Sequence, residues 1–236
     1  MLSEDSWLSS QLSLPCFSFI GSTCEEYLDV LELQQLPKSH FVTLKLVTWP
    51  TDSLLLSRPT LKPILQMNKY IFNFNRVEGP IDGDFIRKAE LRDLKNLLTV
   101  TENAFTRSRF HRDPRIGGVI GERIKAAWIE NNLMYRQHCE TYIYQDVQLK
   151  KILGYVSIMR TKSSISIDLI AVSRESRGKG IGSKLVLMCK QLASISNLDL
   201  FVGTQTDNPS NSLYLKLGFV QDSQYFVFHD IDKIGA

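Results

Sequence analysis

The chain has 236 residues, enough for one large domain or two small ones with a buried core. Hydrophobic residues make up 43%, as in a folded soluble protein, and 28 Lys and Arg against 25 Asp and Glu leave a formal +3 with no basic block, which excludes a nucleic-acid tail. The apolar run Leu12 to Ile20 is too short to span a bilayer and follows Glu4 and Asp5 rather than a basic leader, so a cytoplasmic protein with no membrane or nucleic-acid partner is expected. Cys16, Cys24, Cys139 and Cys189 lack C-x-x-C spacing, and His40, His111, His138 and His229 lack H-E-x-x-H or Cys/His spacing. Reduced thiols and no metal are expected.

In chain order, Cys16 to Ile20 reads as a short strand, and the helix after it is opened by Ser22 or Thr23 with Glu25 or Glu26 three residues on. A strand at His40 to Val47, a Pro-bearing helical patch near Ser53 to Leu65 and an alternating strand Lys69 to Val77 follow. Gly79-Pro80-Ile81-Asp82-Gly83 then marks a domain boundary near residue 80. Beyond it, a strand Phe85 to Lys88 leads into a helix Glu90 to Phe105, with Leu91, Leu94, Leu97 and Leu98 on one face. A basic loop and a helix Val119 to Met134 precede three antiparallel strand candidates, Glu140 to Gln145, Ile152 to Met159 and Ser164 to Val172. A helix Ile181 to Ala193 turns Leu185, Met188 and Leu192 inward, before a strand, a short helix around Asn211 to Leu217 and a last strand Tyr225 to His229.

Chemistry concentrates between the Ser164 strand and the Ile181 helix. There the chain reads Arg177-Gly178-Lys179-Gly180-Ile181-Gly182, an R-x-x-G-x-G loop, with Ser183 behind it. Glycines remove Cβ atoms, so successive backbone N–H groups turn toward one anion while the following helix adds its positive end. This is a cradle for a diphosphate.

The strand Ile167-Asp168-Leu169-Ile170-Ala171-Val172, this loop, a helix, then Asn208 and Tyr214-Leu215-Lys216-Leu217-Gly218-Phe219 resemble the GCN5-related N-acetyltransferases (GNAT) in content and order. The resemblance covers the second half of the chain. It implies an α+β (three-layer α/β) fold with a mixed, mostly antiparallel central sheet over residues 80–236, beside a smaller N-terminal α/β domain at residues 1–79 that contributes to the acceptor pocket. It also implies acetyl-CoA as cosubstrate: the pyrophosphate on Arg177, Gly178, Lys179, Gly180, Ile181, Gly182 and Ser183, the pantetheine amides on the backbone of Leu169, Ile170, Ala171 and Val172, and a further contact at Asn208. A narrower similarity rests on Ala104-Phe105, Ser108-Arg109-Phe110, Ala127 to Asn131, Gly203-Thr204-Gln205 and Trp7. It points to the dTDP-fucosamine acetyltransferases, which N-acetylate the 4-amino group of a dTDP-4-amino-4,6-dideoxygalactose.

Amide formation from a thioester requires a neutral amine, a polarised carbonyl and a proton for the leaving thiolate. Tyr214 is the expected general acid, a phenol of reference pKa about 10 being well matched to a thiolate; the bland reading makes it a helix residue with a surface hydroxyl. Carbonyl polarisation falls to a backbone N–H near Ile170, if the strand bulges there. Asp168, the sole acid of its strand, is placed by alternation on one face with Ile170 and Val172, and reads equally as catalytic base or as hydrogen-bonded support. The resemblance places a glutamate at Asn68, and Asn68 accepts no proton, which leaves a water relay or Asp168. Arg107, Arg109, His111, Arg112 and Arg115, beside Phe105 and Phe110, suit the diphosphate and base of a nucleotide sugar, with Arg109, Phe110 and His111 the expected contacts. Pairing with Glu102, Asp113 or Glu122 is the alternative. Trp128 and Asn131, a turn apart, either line that pocket or belong to core and surface. A small-molecule amine, read as a nucleotide amino sugar, is the expected partner, and a homodimer stays open.

Overall fold

The computed structural model describes residues 1–72, 85–146, 148 and 150–232. The boundary expected at residues 79–83 and the end of the strand expected to reach Val77 lie outside these. In chain order the elements are β1 (Ser3–Glu4), α1 (Ser6–Leu12), β2 (Cys16–Gly21), α2 (Cys24–Leu33), β3 (His40–Leu46), α3 (Asp52–Ser57), β4 (Leu61–Phe72), β5 (Ile86–Lys88), α4 (Leu94–Thr101), α5 (Arg109–Arg112) and α6 (Gly117–Met134). They continue with β6 (Cys139–Asp146), β7 (Lys151–Arg160), β8 (Ser164–Val172), α7 (Ile181–Ser196), β9 (Asp199–Gln205), α8 (Ser210–Lys216) and β10 (Val220–Asp232). Two compact units result, one of Met1–Asn68, Arg107–Ile120 and Ser223–Ala236, the other of Lys69–Thr106 and Gly121–Asp222.

In the first unit the strand order is β1-β2-β3-β10-β4, with β2 and β3 parallel and β3 and β10 antiparallel. The helix α2 begins where its cap residues dictate. The Thr23 hydroxyl accepts from the Glu26 N–H at 3.3 Å, and the Glu26 carboxylate accepts from the Ser22 N–H at 3.0 Å. Its inner face joins Phe19, Tyr27, Val42, Leu44, Leu46, Leu61 and Phe228 in one core. The helical patch expected from Ser53 to Leu65 is helical only over α3; from Leu61 the chain is strand, with Pro63 near the strand start, where a missing N–H is tolerated. The short α1 escapes periodicity and is set by its cap, Asp5 accepting from the Leu8 N–H at 2.9 Å.

The second unit is a mixed sheet, β9-β8-β7-β6-β5, antiparallel except for the parallel pair β8 and β9. Helices cover both faces. Ile181, Leu185, Val186, Met188 and Cys189 of α7 pack with Val156, Ile158, Ile165 and Ile167 on one side. Leu97 and Val100 of α4 and Ile129 of α6 pack with Tyr155, Leu169 and Ala171 on the other. Leu91, expected on the buried face of the Glu90 helix, is 61% exposed, because Leu91–Asp93 form a 3₁₀ turn. The Asp93 carboxylate draws that turn tight, accepting from the Glu90 N–H at 2.8 Å and from both Arg87 terminal nitrogens at 2.7 and 2.8 Å. The regular helix therefore starts only at Leu94.

The register of β8 carries the main departure from simple alternation. Ser157 faces Leu169 and Ile158 faces Ile167, so Asp168 is an extra residue, a bulge. Ile165 and Ile167 point into the α7 core, whereas Leu169 and Ala171 point into the α4–α6 core. Asp168 bonds to α6, on the side opposite Ile170 and Val172, which pack with the α7 core. The shared face expected for Asp168, Ile170 and Val172 is thereby corrected: two adjacent residues point the same way at a bulge and alternation restarts.

Gly154 of β7 lies against the end of this strand. A Cβ there would sit 2.9 Å from the Ala171 carbonyl oxygen and 3.2 Å from Ile181, whereas a Cβ at Gly182 would meet side chains only at 3.8 Å. Gly154→Ala is expected to cost about 1–3 kcal/mol. Gly182→Ala, which gains helix preference, should cost nothing measurable. Urea midpoints of the two variants check the contrast.

Candidate active site

The site is built where β8 loses a neighbour. The parallel register with β9 runs only from Ser164 opposite Asp199 to Ile167 opposite Val202. Among the described residues, the β9-facing edge of Asp168 to Val172 beyond Ile167 has no strand partner, while β7 stays paired to Val172 on the other edge. Apart from the Val172 carbonyl, which Arg177 Nε meets, backbone groups there stand open to an extended ligand, since an unpaired buried amide is costly unless something meets it.

At the end of this edge the chain enters the glycine loop. Gly178 and Gly180 have φ of +78° and +76°, and nothing lies within 4 Å of where their Cβ atoms would be. The backbone conformation, not crowding, selects glycine at both. Gly180 is also the N-cap of α7, with no side chain bonding the first-turn amides and no acidic residue in that turn. The amides of Ile181, Gly182 and Ser183 are left for an anion. Arg177 is tethered through Nε to the Val172 carbonyl at 3.2 Å, and Lys179 is exposed beside it.

Tyr214 lies on α8, 2% exposed, in the same core as Ile167, Ile181 and Phe219. Its ring is 5.7 Å from Phe219 and 6.0 Å from Tyr70. Burial pushes its phenol above the ordinary value, so it holds its proton at neutral pH. Asn208 spends its side chain on the loop before α8, accepting from the Ser210 N–H at 2.9 Å and donating to Gln205 Oε1 at 2.9 Å.

Asp168 is held by three donors. Its Oδ2 accepts from Trp128 Nε1 at 2.9 Å, Asn132 Nδ2 at 2.8 Å and an Arg136 terminal nitrogen at 3.0 Å. Trp128 and Asn132 are one turn apart on α6 and Arg136 follows just beyond its end, a polar spacing of four that is visible in the sequence. Asn131, singled out as the partner of Trp128, is not in this group. The indole face of Trp128 instead carries Lys125, whose Nζ lies 4.2 Å from its ring centre and 5.1 Å from that of Phe105.

The basic segment belongs to the first unit and is partly helical, as α5. Phe110, expected to stack on a base, is 1% exposed and stacks on His229 instead. His111 bonds through Nδ1 to the Ser108 hydroxyl at 2.6 Å. Arg115 grips Asp113 with two nitrogens, Nε at 2.9 Å and a terminal nitrogen at 2.8 Å. Arg109 is different. Its guanidinium lies 4.5 Å from the Phe110 ring centre and its buried Nε has no hydrogen-bond partner; burial lowers its pKa, opposed by Asp5, Tyr225 and Cys16 nearby.

His229, set aside as packing, forms a buried dyad that no local pattern announces. Its Nδ1 lies 2.8 Å from Asp113 Oδ2, which fixes the proton on Nδ1 because an ionised carboxylate only accepts. Burial pushes His229 down to about 4 against the pull of Asp113. Burial would raise the Asp113 carboxyl, but bonds from His229 and Arg115 outweigh it and hold the group below the usual carboxylate range. Both folded pKa values lie below their unfolded ones, so at low pH the unfolded chain binds more protons and stability falls with pH. The loss should begin near pH 6.5 as unfolded histidine titrates, and continue below about 4 through Asp113. His229→Asn, which keeps a donor to Asp113 but does not titrate, should flatten the stretch between pH 6.5 and 4 in urea titrations; an unchanged slope would place its origin elsewhere.

Among the described residues no group of three or more His, Cys, Asp or Glu is placed to hold a metal, and no helix is long and apolar enough to cross a membrane. The sequence model of the acetyltransferase (GNAT) domain matches residues 137–221. Over 139 residues the chain is 24% identical to the spore coat polysaccharide biosynthesis protein SpsD of Bacillus subtilis (strain 168), covering 58% of this chain and 47% of that protein. It thus spans about half the length of this curated relative. A conserved protein of unknown function from Staphylococcus epidermidis ATCC 12228 shares the fold at a TM-score of 0.63 and 16% identity, covering 92% of this chain and 84% of that one. A GNAT-family putative acetyltransferase from Novosphingobium aromaticivorans DSM 12444 does so at 0.55 and 13%, covering 91% and 82%. A strand edge opened beyond Ile167, a glycine loop feeding a bare helix N-terminus and a buried phenol all fall within the matched segment, and residues 137–221 form an acetyltransferase (GNAT) domain.

Proposed function

We propose that the protein transfers an acetyl group from acetyl-CoA to the amino group of a nucleotide-linked amino-deoxy sugar, of the dTDP-4-amino-4,6-dideoxyhexose type. The observation that carries the donor half is the unpaired edge of β8 from Asp168 to Val172, running into the loop of Arg177 to Gly182 and the uncapped start of α7. An extended pantetheine amide chain finds backbone partners on such an edge, and a diphosphate finds the amides of Ile181, Gly182 and Ser183. Bound there, acetyl-CoA supplies the activated acetyl thioester.

Backbone N–H groups of the Leu169–Val172 edge polarise the carbonyl. The amine nitrogen forms the new C–N bond, the C–S bond breaks, and Tyr214 gives its phenolic proton to the leaving sulfur. Asp168 serves as support for the bulge, its Oδ2 held by Trp128, Asn132 and Arg136; the amine proton leaves through water. For the acceptor, support comes from the similarity to a polysaccharide biosynthesis protein and from Arg109, whose buried Nε lacks a partner and suits a phosphate oxygen.

Release of free CoA from acetyl-CoA, measured with dTDP-4-amino-4,6-dideoxyhexoses beside polyamines and peptide amines, tests the reading. Turnover is expected with the amino sugars; turnover only with another amine would replace the acceptor, and none with any amine would sink the activity. Tyr214→Phe should cut kcat at least about tenfold with little change in acetyl-CoA KM. Asp168→Asn should lower stability by about 1–3 kcal/mol through the broken charge network, while changing kcat of the folded protein less than about threefold. A large kcat loss at unchanged stability would return the base to Asp168.

A further inference from the structure

The connection from β9 to α8 is closed by one side chain. Asn211 Nδ2 donates to the carbonyl oxygens of Gln205 at 2.8 Å, Thr206 at 3.1 Å and Asn208 at 2.7 Å. Three carbonyls only accept, so the amide nitrogen must face them and Oδ1 must face the other way. There it accepts from the Tyr70 hydroxyl at 2.8 Å. Nothing in this cluster can be turned over without losing all four bonds.

The geometry points to Asn211 and Tyr70 as positioning residues for the phenol of Tyr214. Tyr214 follows Asn211 by three residues on α8, nearly one turn, so whatever fixes Asn211 fixes the rotation and height of Tyr214. Tyr70 holds the same helix twice, its hydroxyl through Asn211 and its ring 6.0 Å from the Tyr214 ring. A helix of seven residues contributes little order by itself, so these tertiary ties set its place. A proton donor displaced by about 1 Å loses on the order of a hundredfold in rate, which makes such anchoring functional rather than decorative. Tyr70 and Asn211 lie 141 residues apart, and no sequence pattern links them.

This inference rests on Tyr214 being the proton donor proposed above, and its test separates the two. Tyr70→Phe keeps the ring and removes only the hydroxyl; Asn211→Asp keeps an acceptor for Tyr70 but removes every donor to the loop carbonyls. In the full-length protein, with the amine that gives turnover, kcat should fall about 3–10-fold in the first and at least about tenfold in the second, with acetyl-CoA KM within about twofold. In a Tyr214→Phe background neither change should lower kcat further, because both act through that hydroxyl. Wild-type kcat in both single variants, or equal losses in the Tyr214→Phe background, would overturn the inference. Fluorine NMR of protein carrying 3-fluorotyrosine gives a readout independent of turnover, the Tyr214 resonance being assigned by its loss in Tyr214→Phe. It should broaden or shift in both variants; an unchanged resonance counts against positioning even if Tyr214→Phe leaves activity intact and the proton-donor reading fails alone.

Discussion

The second unit depends on a mismatch in pairing: among the described residues, β8 is bonded along one edge to Val172 but along the other only to Ile167. Sheet edges inside a folded unit are normally closed, since each buried unpaired N–H or C=O costs free energy. Here the opening coincides with the bulge at Asp168, where one extra residue turns the strand and reverses which side chains face which core. Side-chain packing is complete on both faces, with Leu169 and Ala171 on one and Ile170 and Val172 on the other. The vacancy is therefore one of backbone alone. That is what an extended amide ligand requires.

Asp168 shows how such a bulge is kept. An extra strand residue weakens the ladder locally, and the strand would otherwise relax toward regular pairing. Two donors from α6 and one from the residue run just after it hold the carboxylate outside the ladder, Arg136 supplying charge and Trp128 and Asn132 direction. The sole acid of its strand is thus tied into the architecture of the bulge.

Much of this was legible in the sequence where the information is local. Ser164–Val172 is bounded as alternation gives it, α7 starts at Ile181 as its periodic Leu185 and Met188 indicate but runs to Ser196 rather than Ala193, and the loop is marked by its glycines. What periodicity could not reveal is whatever depends on a partner far along the chain. The bulge exists only relative to β7, so the sequence places Asp168 on the wrong face. Phe110 reads as a ligand-stacking aromatic because its true partner, His229, lies 119 residues away, and His229 reads as packing because Asp113 lies 116 away. The Leu61 strand was obscured by Pro63, whose missing N–H argues against strand except near an end or edge. Arg115, counted in the anion-binding cluster, pairs with Asp113 as the alternative reading had it, and also donates to the carbonyls of Thr60 and His229, which no local pattern shows.

The glycine loop and the phenol impose opposite demands on their surroundings. A cradle for an anion works because its backbone is exposed and bare, which the open space around Gly178 and Gly180 provides. The proton donor proposed at Tyr214 relies on burial: removal from water raises its phenol, so it keeps its proton at neutral pH. Exposure tolerates imprecision, since several amides share one anion. Burial does not, since one hydroxyl must meet one atom. The seven-residue α8 is accordingly tied down by a carboxamide with four bonds, while the loop of Arg177 to Gly182 is left to glycines and a single tether from Arg177.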